Sequence, residues 1–271
     1  MANFIYLTGR TLSALAAGML VAVTAHAGRS CEEKKPTVQT IERGMSLAEQ
    51  TMRALDASGH QVVLLARAGQ DLSRYNLRYS HLGIAYKQPT GNGGHVWRVL
   101  HKLNQCGTSV AAIYRQGLGE FFLDDLWRFE AAYAAPSAAA QEKILAVLQN
   151  DWHATRLHHR PYSIVSYAWG GMYQQSNQWA IETMAMALAP SVDSRMQAQE
   201  WLSRSGYRPT TLKIGPLMRL GGRMTAANVA FYDHPPDKRF SDRIETVTVD
   251  SVFAWLAQTG IAEKPVAVRL R

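Results

Sequence analysis

Cysteine is scarce, acid is outnumbered, and long apolar runs are missing after the N-terminus. Each shortage removes a class of protein. Only Cys31 and Cys106 occur in 271 residues, too few for a zinc site of several thiolates or a Cys-x-x-Cys redox centre. No stretch after Ala27 reaches the roughly 18 uninterrupted apolar residues of a membrane-spanning helix, so the exported chain is expected to be soluble. Phosphate-cradling patterns are absent, because Gly91-Asn92-Gly93-Gly94 leads into a strand pattern instead of a helix. His158-His159 and Asp233-His234 lack the i, i+4 spacing that lets two ligands share an ion. No metal and no cofactor are therefore expected.

Lysine and arginine number 29 against 21 acids, a formal charge of +8. These charges are scattered, without the basic stripe and interleaved aromatics of a nucleic-acid surface, so no nucleic acid is expected as a partner. An excess of cations suits anionic material at a cell envelope, or simply solubility.

The first residues do have a pattern. Arg10, an apolar run from Leu12 to Ala25, and Ala25-His26-Ala27 read as a charged region, a short hydrophobic region and a small-x-small cleavage site. Residues 1–27 are thus expected to be a signal peptide, and the product to be exported to the periplasm. Removal of Arg10 leaves the mature chain at +7. Residues 28–271 are read as one domain, since no Pro/Ser/Gly-rich linker divides them. In an oxidising compartment Cys31 and Cys106 suggest one disulfide, with two buried thiols as the alternative.

Along the mature chain, residues 38–58 repeat apolar positions at helical spacing and Gly59 marks a stop. "QVVLLARAG" is a continuous buried strand, "SHLGIAYK" a second, and the glycines 91–94 turn into a third, "HVWRVLHKLN". Residues 117–131 and 136–150 look mostly helical. Helices are also expected over 176–189, over "SVDSRMQAQEWLSRSG" and over Val252–Gln258, with Thr246–Asp250 a strand or a strand-to-helix transition. The class is α+β, with a small antiparallel sheet concentrated between residues 60 and 105 and helices around it.

Histidine is the natural place to look for chemistry near neutral pH. Alternation puts His81 on one face with Gly83 and Ala85, small neighbours that leave room beside an imidazole. A hairpin brings His101 near it, where it can fix the tautomer of His81. Ser176 opens the helix 176–189. It reads either as an N-cap or as a nucleophile served by a helix N-terminus and its unpaired amides. Asn177 and Gln178 stand ready to present amides to a substrate or to decorate the first turn. Tyr79 and Tyr162 line a cleft or pack in the core, and Ser80 points to the face opposite His81. Glu182 lies too far along the helix to share the His81 site unless the helix meets the strand edge-on.

"VVLLARAGQDLSRYNLRYSHLGIAY", "WRVLHKLN" and "YSIVSYAWGGMYQQSNQWAIETMA" together resemble the circularly permuted papain-like superfamily, the NlpC-type and lecithin:retinol-acyltransferase-like proteins. The resemblance covers about residues 60–190. Over most of the mature chain the sequence is similar to a bacterial exported family, domain of unknown function 2145. It implies a permuted papain-like (NlpC-type) fold, with His81 as general base, His101 as its orienting partner and Ser176 as nucleophile. The superfamily ordinarily has cysteine there. A thiol beside histidine ionises readily, whereas serine needs concerted proton removal by an aligned base. Two functions are therefore expected: an exported hydrolase or acyltransferase acting on an amide or ester bond, with cell-envelope peptide or lipid as the candidate partner, or a periplasmic binding module that has lost the cysteine. Nothing in the sequence fixes the oligomeric state.

Overall fold

The computed structural model describes residues 35–270. The expected signal peptide and Cys31 lie outside the described residues. Among those residues no helix is long and apolar enough to cross a membrane.

The elements run α1 (Val38–Ala57), β1 (Val62–Ala68), β2 (His81–Pro89), β3 (His95–Asn104), β4 (Ala111–Gly117), α2 (Leu118–Phe122), β5 (Arg128–Ala134), α3 (Ala138–Leu148), α4 (Asp151–Thr155), α5 (Ser176–Leu188), α6 (Arg195–Arg204), β6 (Thr210–Lys213), α7 (Pro216–Thr225), α8 (Pro236–Arg239), β7 (Arg243–Thr246), α9 (Val249–Gln258) and β8 (Val266–Arg269). Thr37 starts α1 by accepting from the Thr40 amide at 3.1 Å, and Gly59, at φ 74°, turns the chain out of it.

An antiparallel sheet of six strands, ordered β4-β3-β2-β1-β5-β8, carries the fold, and β6 pairs with β7 in a separate ribbon. The continuous apolar run of β1 is explained by its position, since every residue from Val62 to Ala68 is buried. Helices cover both faces. Leu82, Ile84, Tyr86 and Leu100 pack with Trp179, Ala180 and Met184 of α5, and with α3 and α9. Ala85, Trp97 and Val99 face Leu47 and Leu55 of α1 and Phe121 and Phe122 of α2.

The structure is α+β as expected, but the sheet is wider than the sequence suggested. Residues 117–131 are mostly not helical: α2 is a short helix, and Arg128–Ala134 form a strand. The reason is tertiary, because β1 needs a partner on its second edge, which β5 supplies with Leu64 opposite Ala134. β8 then covers β5. Of the two readings of Thr246–Asp250, the strand-to-helix transition holds: β7 ends at Thr246 and α9 begins at Val249, with Thr248 capping the helix by accepting from Ser251 N at 3.1 Å.

Candidate functional site

His81 is the first residue of β2 and is half-buried, whereas His101, across the hairpin on β3, is fully buried. The hairpin brings them together as expected: His81 Nε2 and His101 Nδ1 are 2.8 Å apart. His101 Nε2 is in turn 2.8 Å from Gln116 Oε1, on β4. That third member was missed, although β4 lies beside β3 with Val99 opposite Gln116. Reading 111–117 as an edge strand in sequence would have exposed it.

Burial, followed by the nearby positive charge of Arg67, pushes the His101 pKa down to about 4. His101 is therefore neutral at pH 7 and carries one ring proton. A carbonyl oxygen can only accept, so with Gln116 Oε1 toward the ring the proton sits on Nε2. Nδ1 is then the acceptor for His81 Nε2–H, and the basic nitrogen of neutral His81 is Nδ1. A buried relay thus fixes the tautomer of a half-exposed histidine.

Phe121 packs against both rings, with centroids 5.9 Å from His81 and 5.2 Å from His101. Arg67 reaches the same neighbourhood, donating to the Phe121 carbonyl and pairing with Asp124. Space for His101 depends on Gly83, where a methyl would meet Val99 Cγ1 at 2.5 Å and His101 Cβ at 3.2 Å. Gly83→Ala should cost about 1–3 kcal/mol by overpacking and displace His101 from Gln116. Urea unfolding checks this; an unchanged midpoint would contradict it.

Ser176 stands elsewhere. It is the first residue of α5, and the cap is Gln175, whose side-chain oxygen accepts from the Asn177 amide at 2.9 Å. The N-cap reading of Ser176 is thereby corrected: a longer amide side chain one residue earlier takes the role. Ser176 is buried against the hydroxyl of Tyr162. Burial raises the Tyr162 pKa, and contacts to the Ser176 side chain and backbone amide partly offset this. Because α5 packs on Leu82, Ile84 and Leu100, it covers the face opposite that of His81, Gly83 and His101.

The neighbouring amides are engaged in tertiary bonds. Asn177 Oδ1 accepts from Leu82 N at 2.9 Å, stitching the start of β2 to α5. Gln178 accepts from Ser166 Oγ at 2.9 Å and donates to the carbonyls of Tyr167 and Ala168. Tyr79 is core, its hydroxyl donating to Glu130 at 2.6 Å, and Ser80 turns to the amides of Gly69 and Gln70. Cys106 lies in the β3–β4 connection and is disulfide-bonded. Asp233 and His234 bond each other, at 3.1 Å, and both side chains are buried.

A second polar cluster lies on the α5 face. Lys102, fully buried, donates to His159 O at 2.6 Å and to Gln174 Oε1 at 2.8 Å. Gln174 continues to the buried Glu182, which pairs with Arg195 at 2.9 Å. Burial, then the charge of Arg195, pushes the Lys102 pKa down to about 7. Glu182 thus points to α6 and away from His81. Among the described residues no group of three or more His, Cys, Asp or Glu is placed to hold a metal.

A family model described as an uncharacterised protein conserved in bacteria, DUF2145, matches residues 54–256. No curated protein and no solved structure matches the chain. The match spans well over half of the sequence, and the chain belongs to that family.

Proposed function

We propose that this member of the DUF2145 family is an exported, periplasmic binding module on a permuted papain-like scaffold. It presents His81, with its tautomer locked by His101 and Gln116, to a polar fragment of the cell envelope. In this reading Ser176 is a structural residue of the first turn of α5. The observation that supports it is the division between faces: His81 and His101 pack against Phe121 on one side of the sheet, while Ser176 is buried against Tyr162 on the side covered by α5. An oxyanion site at the start of α5 is also poorly provided for, because the Asn177 amide is capped by Gln175.

The test pairs two measurements. A fluorophosphonate probe should leave the protein unlabelled, and His81→Ala should weaken co-sedimentation with purified peptidoglycan sacculi about fivefold, the scale of one lost hydrogen bond. Labelling that disappears in both Ser176→Ala and His81→Ala would overturn the binding reading.

The relay itself favours a second reading, an amide or ester hydrolase or acyltransferase. A base held in one tautomer by a buried partner is what serine activation needs. It would require Ser176 Oγ to come within hydrogen-bond reach of His81, through movement of α5 relative to β2. The labelling experiment separates the two readings.

A further inference from the structure

The helix α7 sets Met218 on the core beneath it and leaves its other large apolar side chains outward. Arg219 and Gly222 are its buried residues, while Leu217 is 85% exposed, Leu220 55% and Met224 78%. Positions 217, 220 and 224 fall on one stripe, since three- and four-residue steps return to the same side of a helix. Arg219 points inward, donating to the carbonyls of Ile214 at 2.8 Å and Arg239 at 2.8 Å. The guanidinium thereby ties α7 to the carbonyls beneath it, whereas the outward Leu217, Leu220 and Met224 add nothing to the packing of the domain itself.

The apolar stripe is bordered by cations. The Arg223 and Arg239 guanidiniums each lie 4.8 Å from the Tyr232 ring, and Arg239 lies 5.4 Å from Phe240, itself 80% exposed. These contacts join the stripe, the two arginines and Phe240 into one surface. α7 contains no acid. Of the acids nearby, Asp242 is shared by Lys213 and Arg243 and Glu245 is paired with Lys238, whereas Asp237 lies on α8. Among the described residues, no ion pair joins Arg223 or Arg239 to a carboxylate.

We propose that α7 and Phe240 form a membrane-contact surface, laying Leu217, Leu220 and Met224 into the interface of a bilayer that contains anionic lipid, with Arg223 and Arg239 on headgroup phosphates. An apolar stripe rimmed by arginine is the combination that binds such interfaces, by burial and by charge together. A second copy of the chain fits less well, because a symmetric contact would set these arginines against their own counterparts. The helix is too short to span, so contact is peripheral.

Flotation with vesicles of phosphatidylcholine alone and with added phosphatidylglycerol tests this. Wild type should float with the anionic vesicles, weakly with the neutral ones, and less at high salt. The triple variant Leu217→Ser, Leu220→Ser, Met224→Ser should bind at least about tenfold more weakly, and Arg223→Gln about fivefold. Both carry the same N-terminus as wild type, so the difference reads α7 alone. These positions are exposed, and an unchanged thermal melt confirms that the variants are folded. Absence of wild-type binding, or equal binding by the folded triple variant, would overturn the proposal. So would a triple variant that changed oligomeric state in sedimentation and left flotation intact.

Discussion

Glu182→Ala is expected to destabilise the protein by roughly 3–5 kcal/mol, the cost of leaving a buried charge without its partner. Glu182 has a fully buried side chain and spends both oxygens: Oε2 accepts from Arg195 at 2.9 Å and Gln174 at 2.5 Å, Oε1 from Gln199 at 2.8 Å. Arg195 also donates to the carbonyls of Gly170, Gly171 and Tyr173, so the carboxylate fixes the loop that leads into α5. Its removal strands Arg195 and loosens the segment before Ser176. Glu182→Gln keeps the shape and some of the hydrogen bonds, and should cost less. Chemical denaturation of both variants decides the matter, and an alanine variant within about 1 kcal/mol of wild type would refute the argument.

The second large effect concerns pH. The folded-state pKa of Lys102, about 7, lies below its ordinary value of 10.5. Between these values the unfolded chain binds the proton more strongly, so stability rises with pH from about 7 upward and is lost as pH falls back through that window. Each unit is worth up to about 1.4 kcal/mol, and a total of roughly 3 kcal/mol is expected by pH 10. Above that, the buried phenols of Tyr79 and Tyr207, whose pKa values burial raises, oppose the gain. Lys102→Met should flatten the profile between pH 7 and 10 in urea titrations. A wild type with no such rise, or a methionine variant that retains it, would contradict the assignment. His101 and His158, both lowered to about 4 mainly by burial, add a separate loss as pH falls from 6.5 toward 4.

Both predictions concern groups whose buried partners the sequence did not reveal. Lys102 sits in an alternating strand and Glu182 in an apolar helix, and neither announces whether it faces solvent. By contrast α1, β1, β2 and β3 were legible, because periodicity and a glycine turn are local properties. So was the meeting of His81 with His101, which a tight hairpin nearly dictates. β5 was not legible, since "RFEAAYA" becomes a strand only beside the second edge of β1. Gln116 was hidden for the same reason, as its role exists only through the β3–β4 register.

By itself the sequence determined the α+β class, the hairpin and the grouping of His81, Gly83 and Ala85 on one face, because alternation along a strand is a backbone property. Only the tertiary structure decided which helices cover that face. The packing of α5 against Leu82 and Ile84, and of α1 and α2 against Ala85 and Val99, separates Ser176 from the histidine pair. A strand pattern distinguishes two sides, but which side each helix takes follows from burial summed over the whole core.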